Sequence, residues 1–298
     1  MTEQPNAEPE ARRRVCLSGL TVETMTELYL TQHLPISVIA ARYGCTRQAV
    51  HNKRRALGLS IRPQYCRYDL NKTFFQTWSP AMAWVLGVIA TDGCLQPRSV
   101  DITQKEPELL EKVRALMGSS APIYVRPNGT SQVCGLRISS QPMVHDLQRL
   151  GLTPRKSRTL IFPMMPPAMV RHFIRGCWDG DGSIFQVGRR RRASFTCASR
   201  IFMEHLVRYL AHEGIGQYQY RELQERWGVR RLRRRWNLVT AVPLTIHESR
   251  HLGKVAAYVI KTSTMAQLSG LYTYLYQGVG SEMRLERKYQ RWTSAIAA

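Results

Sequence analysis

The sequence predicts an α+β protein in which two pseudo-symmetric αββαββα repeats follow a small all-α domain. Three observations support this fold class: an apolar helical segment that occurs twice, a strand–strand–helix pattern after each copy, and a separate helical pattern near the N-terminus. The 298 residues are 44% hydrophobic, which is enough to bury a sizeable core. The longest strongly apolar stretch, Ala81–Ala90, is shorter than the ~20 residues that span a bilayer, and no membrane partner is expected.

Composition and periodicity suggest where the domains begin and end. Residues 1–15 are polar and then basic, and they are expected to form a disordered arm. Residues 16–60 have helical periodicity, whereas residues 61–79 have no clear periodicity and are predicted to be a linker. The two repeats are assigned to residues 80–165 and 166–298.

The N-terminal region has the pattern of two helices joined by a tight turn. Ala40 allows two helices to cross closely, Gly44 suits a positive-φ turn, and Val50 anchors the second helix from inside. Thr46 is a predicted N-cap. This segment resembles a helix-turn-helix DNA-binding unit, and an ordinary helical hairpin with a solvated basic face is the alternative. Its outer face carries side chains suited to base edges and phosphates: Arg47, Gln48, His51, Asn52 and Arg55.

The longer pattern begins with two helix-like segments, residues 80–92 and 168–181. Each segment is followed by a glycine, a short strand pair and a second helix. Each repeat then continues into another hairpin, which the sequence places at residues 121–139 and 217–239. The order helix, two strands, helix, two strands, helix therefore occurs twice.

The two repeated helices each end in an aspartate followed by a glycine. Gly87 and Gly176 permit a close approach of two such helices. Asp92 and Asp181 stand in the last turn, where the helix dipole is negative, and side-by-side packing would add repulsion between them. A divalent cation between the carboxylates removes both penalties, and oxygen ligands suit Mg²⁺. The alternative is that each aspartate accepts a hydrogen bond from a nearby turn amide.

These segments resemble the two signature motifs of LAGLIDADG homing endonucleases, in the single-chain form that carries both motifs, over about residues 80–297. The resemblance implies that the motif helices form a pseudo-twofold interface and that the sheets form a β-saddle across double-stranded DNA, which is cut with staggered ends. It also implies that Asp92 and Asp181 bind the metal, with backbone carbonyls of Thr91 and Gly180 as further ligands.

Two later segments extend the resemblance: GLTPRKSRTLIFP at the end of the first repeat and LERKYQRW at the end of the second. Their lysines, Lys156 and Lys288, are predicted to be catalytic basic residues, and a solvated or phosphate-contacting role is the alternative. Gln104 resembles a polar active-site position of the family, and its counterpart in the second repeat is Cys197. The second motif departs from the family pattern at Arg175, which is charged where the family usually has a small or apolar residue.

The charge balance predicts a polyanionic partner. The chain has 43 Lys and Arg against 21 Asp and Glu, a formal net charge of +22, which indicates nucleic acid ahead of a membrane surface. The second repeat is richer in arginine than the first and is therefore predicted to contribute more affinity for the DNA backbone. Its candidate phosphate contacts, with a solvated basic surface as the alternative, are Arg189, Arg190, Arg191, Arg192, Arg230, Arg231, Arg233 and Arg235.

The leading functional hypothesis is a metal-dependent, site-specific homing endonuclease that acts as a monomer on a long, roughly pseudo-palindromic DNA site. A non-catalytic DNA-binding transcription regulator on the same scaffold, similar to the WhiA family, and an RNA maturase for intron splicing are the alternatives. The N-terminus has no secretory pattern, and the seven scattered cysteines form no disulfide or zinc pattern. A cytoplasmic or organellar-matrix location is therefore expected.

Overall fold

The computed structural model divides the chain into two compact units, Met1–Tyr65 and Cys66–Ala298. Side chains are not described at residue 131 and at residues 217–242. The predicted N-terminal arm lies outside the described residues. The structure describes residues 17–32, 34–59, 68–129, 131–188, 190–227, 231–249, 256–262 and 264–297.

The described residues of the N-terminal unit are mostly helical. Helix α1, Val22–Met25, continues as a π-helical segment over Thr26–Thr31, and it is followed by α2, Ile36–Arg42, and α3, Arg47–Ala56. Their apolar sides form a small separate core that includes Met25.

The turn between α2 and α3 has the geometry that the sequence predicts. Gly44 has a φ of 59°, in the left-handed region that favours glycine. The Thr46 side chain accepts a hydrogen bond from the Ala49 amide at 3.2 Å and so caps α3. Ala40 and Val50 are both buried.

The first repeat of the second unit has the predicted αββαββα order, and its four strands form an antiparallel sheet in the order β1-β2-β4-β3. On β2, Val100 and Ile102 are buried in the core, while the alternate residues are partly exposed. The elements are α4 Pro80–Asp92, β1 Gly93–Gln96, β2 Ser99–Gln104, α5 Pro107–Leu116, β3 Ile123–Asn128, β4 Ser131–Ser139 and α6 Gln141–Arg149.

The second repeat forms a sheet of the same kind, with the antiparallel order β5-β6-β10-β9. Since the two sheets have equivalent strand orders and each follows one motif helix, the predicted fold of two pseudo-symmetric repeats is confirmed. The elements are α7 Pro167–Asp181, β5 Ser183–Val187, β6 Arg190–Cys197, α8 Arg200–His212, β7 Gln217–Trp227, β8 Arg231–Val242, β9 His247–Ser249, β10 Ala257–Thr262, α9 Met265–Tyr276 and α10 Glu286–Ala297.

The sequence-based placement of the last strand pair in the second sheet was wrong. The Arg-rich hairpin β7–β8 forms a two-stranded sheet of its own, and β9 and β10 take the positions that β3 and β4 have in the first repeat. The reason is that β10 begins with a run of four apolar residues and buries Ile260 and Thr262 completely. The sequence of β7 has no continuous apolar face that could occupy that place. The hairpin is therefore an insertion between α8 and β9.

The C-terminal helix α10 packs onto elements of both repeats. Arg287 forms an ion pair with Glu106 of the first repeat, and Lys112 of α5 donates a 2.8 Å hydrogen bond to the Arg284 carbonyl. Trp292 of α10 is fully buried and packs beside Trp178 of α7. None of the described helices combines the length and the apolar character that crossing a membrane requires.

Candidate active site

The motif helices α4 and α7 cross at two glycines. A Cβ atom on Gly87 would lie 2.8 Å from the Cys177 nitrogen, and one on Gly176 would lie 2.9 Å from the Trp84 carbonyl carbon. Any larger residue at either position would push the helices apart, so the two glycines permit this interface. The close crossing brings the C-terminal ends of both helices together.

Asp92, at the end of α4, is half-buried and accepts hydrogen bonds from the first repeat. Its Oδ2 accepts from Gln104 Nε2 at 2.8 Å and lies 3.2 Å from the Thr91 hydroxyl, which also contacts the Val88 carbonyl at 3.0 Å. Burial raises the pKa of Asp92 above its ordinary value, against the lowering effect of the Gln104 hydrogen bond and nearby lysines.

Asp181, at the end of α7, receives no hydrogen bond within the described residues. Desolvation by surrounding protein atoms, together with the negative charge of Asp92, raises its pKa to about 6, although the residue as a whole is exposed to solvent. The helix ends are close, since a Cβ atom on Gly180 would lie 2.5 Å from Asp92 Oδ2. The sequence prediction that the two acids come together is therefore consistent with this packing.

Both predicted lysines are buried beside the helix ends, and both hold backbone carbonyls. Lys156 Nζ donates to the Gly93 carbonyl. Lys288 Nζ donates to the Trp178, Asp179 and Gly180 carbonyls at 2.9, 2.7 and 2.8 Å, so its three N–H groups cap the end of α7. Burial lowers the pKa of both lysines, while the charges of Asp92 and Asp181 oppose that change.

The counterpart of Gln104 in the second repeat has different chemistry. Cys197 ends β6 as Gln104 ends β2, and burial raises the pKa of its thiol. The thiol is a weak donor, whereas the Gln104 amide holds Asp92 firmly. The candidate site thus has two halves, one at the end of α4 and one at the end of α7, which we call the half-sites. Their backbones are arranged alike, but the side chains around their acids differ.

The predicted arginine cluster is divided between two faces of the second sheet. Arg191 faces the helices and donates to the Ala295 carbonyl of α10 at 2.7 Å, while the neighbouring positions Arg190 and Arg192 alternate to the open face. Arg189 and Arg230 lie outside the described residues. Arg231, Arg233 and Arg235 stand at alternate positions of β8, where only the backbone is described.

A basic cleft that the sequence did not indicate lies between β5 and α10. It has a volume of about 660 Å³ and includes Ile184 and Phe185 of β5. The helix contributes one stripe of polar and basic side chains, Arg287, Gln290, Arg291 and Ser294. Helical spacing on α10 could have revealed this stripe in the sequence.

The candidate contact face of α3 is exposed, as predicted for its five polar residues. Gln48 Nε2 donates to Asn52 Oδ1 at 3.1 Å along this face. A role in DNA binding stays a prediction for these residues.

Sequence analysis also missed a buried polar cluster at the repeat interface. Asp179 is completely buried and accepts hydrogen bonds from Trp84 Nε1 at 2.9 Å and from the Tyr276 hydroxyl at 2.7 Å. Arg175, the departure noted in the motif, is also completely buried and donates to the Met283 carbonyl at 2.8 Å. The sequence did contain a signal for this cluster, because Arg175 and Asp179 are charged residues within a mostly apolar helix.

The fold and the site define a class of protein: a two-repeat α+β chain joined through two glycine-containing helices that each end in an acid. Residues 168–258 match the family model described as a LAGLIDADG-like domain, which confirms the family resemblance for that part of the chain. The match does not include the N-terminal helices, so the helix-turn-helix assignment stays a prediction. No curated protein matches the chain by sequence.

Several solved structures are similar to this chain at low identity. Mesophilic variants of the homing endonuclease I-DmoI are 16% identical, with a TM-score of 0.41, over 67% of this chain and 97% of theirs. The homing endonuclease I-WcaI bound to its DNA recognition sequence is 12% identical, with a TM-score of 0.43, over 79% and 96%. Full-length DUF199/WhiA from Thermatoga maritima is 11% identical, with a TM-score of 0.42, over 75% and 64%.

Proposed function

We propose that this chain is a site-specific endonuclease that hydrolyses phosphodiester bonds of double-stranded DNA with a divalent cation, Mg²⁺ in the simplest case, and leaves staggered ends. The observation that carries this proposal is the close packing of the two helix ends that bear Asp92 and Asp181. The net charge of +22 supports a polyanionic substrate. Because both acids belong to one chain, the proposed active form is a monomer on a long, roughly pseudo-palindromic site.

Asp92 and Asp181 would hold the divalent cation, with the carbonyls of Thr91 and Gly180 as further ligands. The Gly180 carbonyl already accepts a hydrogen bond from Lys288 Nζ at 2.8 Å, so it would bind the cation through its second lone pair. The donor set fits a hard cation, because it consists of oxygens and because a cation would offset the repulsion that helps raise the pKa of Asp181. Within the described residues no third His, Cys, Asp or Glu completes a metal cluster. When bound, such a cation polarises a water molecule and stabilises charge on the phosphate.

The neighbouring side chains prepare the acids for this role. Gln104 fixes Oδ2 of Asp92, which leaves Oδ1 without a hydrogen bond within the described residues. The buried ammonium groups of Lys156 and Lys288 favour the ionised form of both acids, and they would offset the charge that a scissile phosphate brings. Lys288 also holds the last turn of α7 in place through its three carbonyl contacts.

The basic surfaces of the second unit would hold the DNA backbone. Arg190 and Arg192 on the open face of the second sheet carry no ion pair within the described residues. In the first sheet Arg137 is paired with Asp101 at 2.6 Å, so of the two arginines on its strands only Arg126 carries no ion pair within the described residues. This difference supports the prediction that the second repeat supplies more backbone affinity. The exposed face of α3 would extend the footprint.

Cleavage selection from a random-sequence DNA library tests the proposal without knowledge of the target. Full-length protein is incubated with the library and Mg²⁺, and cut ends are sequenced. We expect paired, staggered cuts at one family of sites. Asp92→Asn and Asp181→Asn should each reduce cleavage at least about 10²-fold and leave DNA binding intact. Asp69→Asn, which changes an exposed aspartate outside the motif helices, is the matched control.

The same experiment separates the alternatives. Specific DNA binding without cutting under Mg²⁺ or Mn²⁺ would overturn the nuclease proposal and favour a transcription regulator. Binding to a structured intron RNA in preference to any selected duplex would favour a maturase. Near wild-type cutting by either asparagine variant would show that the acids are not the metal ligands.

A further inference from the structure

Within the described residues, one side-chain hydrogen bond crosses the repeat interface from α4 to α7. Trp84 of α4 donates its indole N–H to Asp179 of α7 at 2.9 Å, and both residues are completely buried. Tyr276 of α9 donates its hydroxyl to the other carboxylate oxygen at 2.7 Å. In a buried site each of these donors needs an acceptor, because an unpaired polar group costs more than the hydrogen bond itself gains.

The pseudo-twofold relation between the repeats gives this hydrogen bond no counterpart at the symmetry-related positions. Gly87 and Gly176 correspond in the two helices, and the same offset relates Trp84 to Phe173 and Ala90 to Asp179. One related pair of positions therefore carries an N–H donor and a carboxylate, and the other carries a phenyl ring and a methyl group. Phe173 and Ala90 are buried as well.

A mismatch of the helices would leave either the indole N–H of Trp84 or Oδ2 of Asp179 without its partner. Packing α7 against a second α7 would bring Phe173, not an indole, to the Asp179 carboxylate. Packing α4 against a second α4 would bring Ala90 to the indole of Trp84. Each arrangement buries an unpaired polar group, which costs about 1–3 kcal/mol and more when the group is charged.

We propose that the Trp84–Asp179 hydrogen bond is the specificity-determining contact of the repeat interface and that it positions the last turn of α7. Asp179 stands two residues before Asp181, so this contact and the Lys288 contacts fix where Asp181 lies relative to Asp92. The interface proposal goes beyond nuclease activity and does not depend on it. Only the statement about Asp181 in catalysis rests on the proposed function.

Double-mutant analysis of the full-length chain tests the contact. Trp84→Phe and Asp179→Ala should each lower the Tm by several degrees, and the double variant should lower it by clearly less than their sum. Asp146→Ala, at another buried acid outside the motif helices, is the matched control. Its effect should add to that of Trp84→Phe. Additive effects of Trp84→Phe and Asp179→Ala would overturn the proposal.

An NMR measurement distinguishes a specific contact from general destabilisation. The Trp84 indole N–H resonance, assigned by its loss in Trp84→Phe, should shift and exchange faster in Asp179→Ala but not in Asp146→Ala. Asp179→Asn keeps an acceptor for the indole and should restore slow exchange. An indole resonance unchanged in Asp179→Ala would contradict the assignment.

Cleavage supplies the readout that rests on the proposed function. Asp179→Ala should lower the cleavage rate by up to about 10²-fold with DNA affinity retained, and Asp179→Asn should recover most of it. If the wild-type chain does not cleave any DNA, the proposed function fails, and the interface proposal is still decided by the Tm and NMR results.

Discussion

At the end of α4, Asp92 is held by side-chain hydrogen bonds, whereas at the end of α7 Asp181 receives none within the described residues. The backbone is secured in the reverse way. Lys288 caps three carbonyls at the end of α7, and Lys156 contacts a single carbonyl after α4. The two half-sites therefore reach similar positions by different means: the first fixes the carboxylate and the second fixes the helix that carries it.

The difference teaches that a sequence repeat can preserve geometry without preserving interactions. Glycines at the crossing and acids at the helix ends are the shared elements, because each has a steric or electrostatic requirement that no other residue type meets. The surrounding positions, such as Gln104 and Cys197, have diverged. If DNA is the substrate, the two strands need not be cut at equal rates.

The largest expected effect concerns the two lysines. Lys288→Met should lower the free energy of unfolding by about 2–4 kcal/mol, because three buried carbonyls lose a charged donor, and Lys156→Met by about 1–3 kcal/mol. Urea denaturation of both variants measures which of them loses more unfolding free energy. An equal or greater loss in Lys156→Met would break the comparison between the half-sites.

The second prediction concerns the hydrogen bond to Asp92. Gln104→Cys makes the first half-site resemble the second, and we expect cleavage of one DNA strand to slow about tenfold, since one charged hydrogen bond is lost. Strand-specific labelling of a supercoiled target measures the nicked intermediate. Gln148→Cys, the same change at an exposed position of α6, serves as control. Equal slowing of both strands would contradict independent half-sites.

The smallest expected effect is the pH dependence of Asp181. Its folded-state pKa of about 6 lies above the ordinary value of 3.8, so the folded protein binds more protons between these values. Stability of the metal-free chain should therefore increase as pH falls from 6 to 4. Asp181→Asn should reduce this increase to the part that comes from the raised pKa of Asp92, and the variant should be more stable than the wild type at pH 7. Thermal unfolding at pH 4 and pH 7 measures this difference. A Tm that changes by the same amount between the two pH values in both proteins would disprove the assignment.

Much of the fold could be predicted because its signals are local. The bounds of α4, the cap at Thr46 and the turn at Gly44 follow from residue types that each suit one conformation. Because the motif occurs twice in the sequence, it then predicted that an acid stands at the end of each motif helix. The glycines after the motif helices, Gly93 and Gly182, do end them, and both have an extended backbone with φ of −86° and −71°.

What could not be predicted depends on contacts between distant segments. The pairing of β10 with β6 required knowledge that the Arg-rich hairpin is an insertion, because both segments have strand-like sequences. Lys288 reaches the carbonyls at the end of α7 across 108 to 110 positions of the chain. A resemblance can assign a lysine to the site, but only the packing shows that it holds the backbone.

The length of the inserted hairpin has a further consequence. Its strands contain 11 and 12 residues, so each extends about 36–40 Å. One turn of B-form DNA is about 34–36 Å long. If the chain binds duplex DNA as proposed, a two-stranded arm of this length could follow a groove for a full helical turn, and the insertion would lengthen the recognised sequence without any change to the cutting centre.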